Sequence, residues 1–132
     1  SLSESISIFL EKKRNSPDTP VCLLNIRKVP DPERFGVATI VENNIVEIEE
    51  KPENPKSSYC VTGIYIYDNN VFDFISDLKK SKRREYEITE VNNLYIDRGV
   101  VLSRELKGWW TDAGTHESLW HANKLIRETR EK

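Results

Sequence analysis

The sequence predicts an α/β protein with one mixed sheet flanked by helices, and three observations support this fold class. Short apolar runs rich in β-branched residues occur at residues 21–29, 59–67 and 100–106. Segments with three- and four-residue apolar spacing lie before, between and after these runs. The chain has 132 residues, enough for one domain that buries roughly two-thirds of its unfolded surface.

Composition limits the classes of function. The 20 basic and 22 acidic residues give a formal net charge of -2, which argues against a broad nucleic-acid or membrane surface. No apolar run approaches the ~20 residues of a membrane span, and the first residues do not resemble a signal peptide. Cys22 and Cys60 lie in apolar runs and are expected to be buried free thiols. We therefore expect a cytoplasmic protein with any anion site confined to a small region.

The first elements follow from apolar spacing. Residues 3–14 predict an amphipathic helix with Ser3 as its N-cap. The predicted stripe consists of Leu2, Ile6, Phe9, Leu10 and Lys13. Residues 15–20 form a loop by composition. Residues 21–29 are mostly apolar, which indicates a strand covered on both faces, and residues 30–35 predict a second turn.

Residues 36–52 predict a β-hairpin. Apolar residues crowd its first strand and alternate in its second, and Asn43 and Asn44 lie between them. Asparagine adopts positive φ more readily than most residues, so this pair suits a two-residue turn. Pro52 ends the second strand because it lacks a ladder donor.

The second strand closes with Glu49, Glu50 and Lys51, which places acids beside a base at a sheet rim. A sugar phosphate needs this combination, because its hydroxyls donate to a carboxylate and its phosphate attracts a cation. The alternative interpretation is an ordinary solvated strand end.

The middle of the chain predicts a strand and then a helix. Gly63 interrupts the strand at residues 59–67, and an interior glycine often marks a bulge or a close approach to a ligand. Asp68 or Asn69 can cap the following helix. Its predicted apolar face consists of Val71, Phe74, Ile75 and Leu78. The basic run at residues 79–84 is expected to be a solvated loop, or to reach a phosphate on a neighbouring subunit.

The last third predicts a helix, a strand and a helix. Ile88, Val91 and Tyr95 form a helical stripe that ends at Gly99, which suits a left-handed C-terminal cap. After the strand at residues 100–106, Thr115 is expected to cap a final helix. The predicted inner face of that helix includes Leu119, Ala122 and Ile126.

Asp112 lies between this strand and the final helix, beside Trp110 and near Gly114. Ligands of α/β sheets bind at the carboxyl edge, where such an acid would lie. There it could hold Mg²⁺ against phosphate oxygens, since the ion is usually bound by one or two carboxylates plus substrate phosphates. Alternatively, Asp112 is a turn residue and Trp110 belongs to the core.

Five ordered motifs, spread over nearly the whole chain, resemble the sugar-phosphate nucleotidyltransferases. They are Phe35-Gly36-Val37, Glu49-Glu50-Lys51-Pro52, Val61-Thr62-Gly63, Glu87-Ile88-Thr89-Glu90-Val91-Asn92 and Trp110-Thr111-Asp112-Ala113-Gly114-Thr115-His116. Within the family, the sequence is most similar to members that act on glucose 1-phosphate and a thymidine triphosphate. The common family pattern has Asp-Thr-Gly where this chain has Asp112-Ala113-Gly114, a change that keeps the carboxylate.

The resemblance implies a sugar-phosphate site at the hairpin end. The backbone of Gly36 would meet the sugar, Glu50 would accept hydrogen bonds from its hydroxyls, and Lys51 would contact the phosphate. The other residues implied for the pocket are Val61, Thr62, Gly63 and Tyr65.

The resemblance also implies the chemistry. Trp110 would pack near the reacting phosphates, and Asp112 would be one of two Mg²⁺ ligands, so that Lys51 and Asp112 are the implied catalytic residues. A sugar 1-phosphate would attack a nucleoside triphosphate directly, in a homo-oligomeric enzyme with a Rossmann-like nucleotide-diphospho-sugar transferase fold. Catalysis would come from orientation and charge neutralisation.

The family's glycine-rich nucleotide loop, activating lysine and Gly-Asp-Asn segment are not in this sequence. We therefore expect residues 1–132 to be a single domain, the carboxyl-terminal portion of such an enzyme without its nucleotide-binding half, and inactive by itself. An apolar edge or face and self-association would follow. Two alternatives are a non-catalytic sugar-nucleotide-binding or oligomerisation module, and a small α/β binding protein of unrelated ancestry.

Overall fold

A computed structural model describes residues 1–78 and 87–131. The helices are α1 (Leu2–Asn15), α2 (Asn70–Asp77), α3 (Ile88–Arg98) and α4 (His116–Arg130). The strands are β1 (Val21–Lys28), β2 (Gly36–Val41), β3 (Asn44–Glu50), β4 (Tyr59–Tyr67) and β5 (Val100–Glu105), and a 3₁₀ turn spans Pro32–Arg34. The predicted basic run at residues 79–84 lies outside the described residues.

The five strands form one mixed sheet, as predicted. β1 pairs antiparallel with β4 and parallel with β5, and β2 and β3 form the predicted hairpin. The pair Val37–Cys60 joins β2 to β4, and Asn44–Leu102 joins β3 to β5. The described strands therefore close into a ring in the order β1-β4-β2-β3-β5, with no exposed edge of the kind that we expected.

β1 is buried on both faces, which explains its continuous apolar sequence. Cys22, Leu24 and Ile26 face the larger core, which includes Val91 and Tyr95 of α3. Val21 and Leu23 face Phe9 of α1 on the other side. Cys22 and Cys60 are buried free thiols, as expected, and burial raises the pKa of Cys60 to about 11.

α1 begins one residue earlier than predicted, at Leu2, and buries a different face. Ser1, not Ser3, caps it, with Glu4 completing a capping box. The buried side chains of α1 are Ser5 and Phe9. The Ser5 hydroxyl donates to Oδ1 of the buried Asn25 at 3.0 Å, and Phe9 packs against β1. The predicted apolar stripe therefore points partly outward, and its exposed residues are Leu2, Ile6 and Leu10.

The hairpin turn lies one residue earlier than predicted. Glu42 and Asn43 have φ values of 49° and 66°, and Val41 pairs with Asn44 across the turn. Positive φ at both central residues matches the twist that two-residue hairpins prefer. Asn44 is thus the first residue of β3 rather than part of the turn.

Gly63 lies at the predicted irregularity of β4. Leu24 pairs with Tyr65 and Ile26 pairs with Val61, so β4 carries extra residues around Gly63. Asn25 of β1 stabilises this bulge with two hydrogen bonds. Its backbone oxygen accepts from Thr62 Oγ1 at 2.8 Å, and its side-chain Nδ2 donates to the backbone oxygen of Ile64 at 3.3 Å.

Gly99 ends α3, but not as a left-handed cap. Its φ is -155°, so the backbone is extended. A Cβ here would lie 2.0 Å from the Pro20 carbonyl oxygen, which accepts from the Val100 amide at 2.8 Å. Glycine is needed for this close approach between the end of α3 and the start of β1.

The α2 and α4 predictions are confirmed in part. Phe74 of α2 is buried, and Asn69 is its N-cap without a side-chain hydrogen bond. Thr115 caps α4 as predicted, but Leu119 and Ile126 are 48% and 41% exposed rather than inward-facing. No helix in the described part of the chain has the length and apolar character to span a bilayer.

Candidate functional site

The open end of the hairpin brings the first group of predicted residues together. Gly36 begins β2 and pairs with Glu50, the last residue of β3. Lys51 then leaves the strand with a φ of 43°, and its amide donates to the Phe35 carbonyl at 3.0 Å. This abrupt turn places an acid and a cation side by side at the rim of the sheet.

Glu50 is held against the first turn of α3. Thr89 Oγ1 donates to Glu50 Oε2 at 2.8 Å. A Cβ on Gly36 would lie 3.2 Å from that same carboxylate oxygen, closer than side chains normally approach. Gly36 therefore leaves room for Glu50 beside its own backbone.

Two adjoining cavities meet at Glu50. The smaller has a volume of about 210 Å³ and contains most of the predicted sugar pocket. Its lining residues are Arg34, Phe35, Gly36, Glu50, Val61, Tyr65, Ile88, Thr89 and Asn92. The larger, about 440 Å³, is lined by Glu50, Lys51, Glu87, Ile88 and Thr89. A ligand in the smaller cavity would thus have Lys51 next to it.

Tyr65 lies in the smaller cavity, as the resemblance implies. Its burial and then the charge of Glu50 raise the pKa of its hydroxyl. Asn92, which sequence reasoning left without a role, also lines this cavity and is 1% exposed. Its Oδ1 accepts from Tyr67 Oη at 2.6 Å, which fixes the orientation of the amide.

Of the three predicted pocket residues on β4, Val61, Thr62 and Gly63, only Val61 lines the smaller cavity. Thr62 does not, because its side chain is 1% exposed and donates to the backbone of Asn25. Gly63 lies on the bulge, where a Cβ would meet nothing within 4 Å, and it is not among the residues that line the cavity.

Asp112 lies in a separate and larger cavity of about 700 Å³ at the start of α4. The residues lining it are Arg34, Thr111, Asp112, Thr115, His116, Glu117, Ser118 and His121. Asp112 Oδ2 accepts from the Gly114 amide at 3.1 Å and from Ser118 Oγ at 3.2 Å. These two hydrogen bonds are typical of a turn acid that stabilises a helix start, which was the alternative interpretation of this residue.

Arg34 connects the two ends of the site. It lines both the 210 Å³ cavity and the 700 Å³ cavity, and its Nη2 lies 3.6 Å from Asp112 Oδ2. Its guanidinium stacks over Phe35, whose ring packs edge-on against Trp110 at 5.6 Å. The β5–α4 loop is thereby attached to the turn that precedes Gly36.

Sequence reasoning missed Arg34 and Thr89 as parts of the site. Arg34 precedes the Phe35-Gly36 motif, and Thr89 lies inside the motif at residues 87–92. Their closeness to these motifs was therefore a signal that could have identified them. Their contacts with Asp112 and Glu50 join residues 78 and 39 positions apart, which only the fold brings together.

The donor set for a metal ion is incomplete in this chain. Asp112 supplies one hard carboxylate, and the described residues contain no group of three or more His, Cys, Asp or Glu that could hold a metal. Mg²⁺ usually needs one or two carboxylates together with substrate phosphates. Asp112 therefore fits as one ligand of such an ion but does not form a site alone.

Comparison with known proteins assigns the family. The nucleotidyl transferase family model matches residues 4–129, nearly the whole chain. The chain belongs to the nucleotidyl transferase family. The match includes the hairpin, α3 and the Asp112 loop, so both parts of the candidate site lie within it.

Several relatives are glucose-1-phosphate thymidylyltransferases. The Neisseria meningitidis protein is 46% identical over 103 residues, covering 76% of this chain and 36% of its own length. The Mycolicibacterium smegmatis protein is 46% identical over 104 residues, covering 75% and 35%. A Bacillus anthracis structure, provisionally assigned the same activity and solved in complex with a sucrose, has 52% identity and a TM-score of 0.75, covering 89% of this chain and 48% of its own.

The chain thus spans about a third of the length of the curated relatives that it matches. The prediction of a carboxyl-terminal portion is wrong on this comparison, which places the matched segment in the N-terminal part of the relatives. That prediction was drawn from the missing glycine-rich loop, and a missing motif does not say where in a whole protein a segment lies. The coarser prediction, a nucleotidyltransferase fold with a mixed sheet and helices, is confirmed.

Proposed function

We propose that this chain supplies the sugar 1-phosphate site of a nucleotidyltransferase. The observation that carries the proposal is the corner formed by Gly36, Glu50 and Lys51 beside a cavity of about 210 Å³. A carboxylate can accept from sugar hydroxyls while the adjacent ammonium neutralises the phosphate. Glucose 1-phosphate is the substrate that we propose, because the relatives named above carry it in their names.

The proposed reaction is a direct displacement. An oxygen of the sugar 1-phosphate forms a bond to the α-phosphorus of a nucleoside triphosphate, proposed to be dTTP. The bond from that phosphorus to the β-phosphate oxygen breaks, and its electron pair leaves with pyrophosphate. Catalysis in such reactions is mainly orientation and charge stabilisation. Lys51 would screen the anionic nucleophile from the anionic triphosphate.

Asp112 is proposed as one Mg²⁺ ligand of the whole enzyme. When bound, the ion would neutralise charge on the reacting phosphates. Trp110 and Phe35 would hold the Asp112 loop close to the hairpin, and Arg34 would keep the carboxylate oriented toward that side. The triphosphate would be bound largely by residues outside this sequence, which contains no glycine-rich phosphate loop.

The test is binding of glucose 1-phosphate to Glu50→Gln, measured by calorimetry or NMR titration. Loss of the carboxylate should weaken sugar-phosphate binding by about 1.5–3 kcal/mol, the range for a charge-assisted hydrogen bond. Glu49→Gln is the matched control, since it makes the same charge change one residue earlier. The Glu49 carboxylate lies 3.9 Å from Lys56 Nζ and lines neither cavity, so this variant should bind like the parent. Equal affinities for the parent and for Glu50→Gln would remove the hairpin site from the proposal.

A further inference from the structure

Glu50 needs support to act as a specific acceptor. It is exposed at the end of β3, and a free glutamate side chain in such a position has several accessible rotamers. Fixing one of them when a ligand binds costs conformational entropy. A site that orients the carboxylate beforehand avoids that cost and binds more tightly.

Thr89 provides this orientation. Its hydroxyl donates to Oε2 of Glu50 at 2.8 Å, and within the described part of the chain Oε1 accepts no hydrogen bond. Thr89 thus occupies one carboxylate oxygen and leaves the other for a ligand hydroxyl. Both residues line both adjoining cavities, so the bond lies at the boundary between the space for a sugar ring and the space beside Lys51.

Thr89 is itself held rigidly. It is the second residue of α3, which is anchored in the core by the buried side chains of Val91 and Tyr95. Its β-branched side chain has few χ1 rotamers. A Cβ on Gly36 would lie 3.8 Å from Thr89 Oγ1 and 3.2 Å from Glu50 Oε2, so the pair fills the space directly over the Gly36 backbone.

We propose that Thr89 is a positioning residue that selects for the sugar by holding Glu50 in its acceptor orientation. This inference rests on the proposed sugar-phosphate function and assigns part of its specificity to α3. The hydroxyl acts through Glu50, and phosphate binding by Lys51 does not depend on it.

The experiment compares Thr89→Val with Thr89→Ser in this chain, using glucose 1-phosphate and inorganic phosphate as separate probes. Valine keeps the shape but removes the donor, so the Kd for glucose 1-phosphate should rise about three- to tenfold, as expected for one lost hydrogen bond. The Kd for inorganic phosphate should not change. Serine keeps the donor and should restore most of the affinity, which a purely structural role of the methyl group would not predict.

Two further variants complete the test. Thr39→Val makes the same change on β2, where the described residues include no side-chain hydrogen bond to Thr39, and should bind like the parent. In a Glu50→Ala background, Thr89→Val should add no further loss, because the acceptor of the Thr89 hydrogen bond is then absent.

The possible outcomes separate the two proposals. If Glu50→Gln binds normally, the sugar-phosphate site itself fails. If Glu50→Gln is impaired but Thr89→Val binds like the parent, or Thr89→Ser is as weak as Thr89→Val, only the role of Thr89 is overturned. Thermal melts of all variants show whether any loss of binding comes from unfolding.

Discussion

Lys51 has a backbone conformation that its side chain disfavours. Its φ of 43° lies in the left-handed region, where a residue with a Cβ pays an energetic penalty of about 1–2 kcal/mol. Glycine would be the unstrained choice at this turn. The presence of lysine at this strained position next to Glu50 favours a functional role for its charge.

This conformation predicts opposite effects of one substitution. Lys51→Gly should melt at or above the parent temperature, because it relieves the left-handed strain. It should nevertheless weaken glucose 1-phosphate binding by about 1.5–3 kcal/mol, since the charge-assisted contact to the phosphate is lost. Lys51→Ala should lose the same affinity without the gain in stability. A Lys51→Gly protein that melts higher and binds normally would show that Lys51 is only a turn residue.

Asp68 joins four elements at the end of β4. Its carboxylate accepts from Lys13 Nζ of α1 at 2.9 Å, from the Val21 amide of β1 at 2.9 Å, and from Tyr95 Oη of α3 at 2.8 Å. The Asn70 amide of α2 also donates to it, at 3.1 Å. Burial opposes ionisation, but these donated hydrogen bonds outweigh it and lower the pKa of Asp68 below its usual value.

This network predicts acid sensitivity. Because the folded pKa is lowered, the stability that Asp68 contributes is complete above the unfolded pKa of about 3.9 and is lost as pH falls through the folded pKa. Asp68→Asn should cost about 3 kcal/mol at neutral pH, the lower end of the range for breaking a buried ion pair. Its stability should also fall less steeply in acid than that of the parent.

The measurement is urea unfolding from neutral pH to below pH 3. Asp77→Asn is a suitable control, since its pair with Arg98 is exposed on both sides and should contribute no more than about 1 kcal/mol. Parallel pH curves for the parent and Asp68→Asn would contradict the assigned role.

Local signals in the sequence were sufficient for most elements. The five strands, the bulge at Gly63 and the cap at Thr115 depend on residues close in sequence, and each prediction agrees with the structure. The hairpin turn was misplaced by one residue because two adjacent asparagines suggested its centre, whereas Glu42 adopts positive φ.

The remaining errors concern distant contacts. The orientation of α1 depends on the bond between Ser5 and Asn25, and the need for Gly99 depends on Pro20. At the site, the resemblance supplied Gly36, Glu50, Lys51 and Asp112. It did not supply the contacts that Thr89 and Arg34 make with Glu50 and Asp112, because these contacts join residues far apart in the sequence.

At the scale of the whole molecule, several large apolar side chains remain uncovered. Leu2 and Leu10 of α1 are 53% and 51% exposed, and Trp120 of α4 is 66% exposed. Leu2 and Leu10 lie on the same face of α1 as Ile6, which is 43% exposed, and a contiguous apolar stripe of this kind is typical of a surface that contacts another chain or segment. We predict that the isolated chain self-associates reversibly, which sedimentation velocity at increasing concentration should detect. A monomer at every concentration would contradict this prediction.

The chain should not transfer a nucleotidyl group unaided. It supplies one candidate metal carboxylate and lacks a glycine-rich phosphate loop, so the triphosphate would not be held or neutralised. With Mg²⁺, dTTP and glucose 1-phosphate, pyrophosphate release should stay at background, while a full-length relative serves as a positive control. Turnover that depends on Asp112 would show that the described residues form a more complete site than we infer.

The most direct test of the central claim is an NMR titration of isotope-labelled chain with glucose 1-phosphate. If the hairpin end is the sugar-phosphate site, the backbone amides of Gly36, Lys51 and Thr89 should shift together and saturate with one Kd. Inorganic phosphate should affect Lys51 much more than Gly36. Saturable shifts confined to the Asp112 loop, or no saturable shift at the hairpin end, would contradict the account.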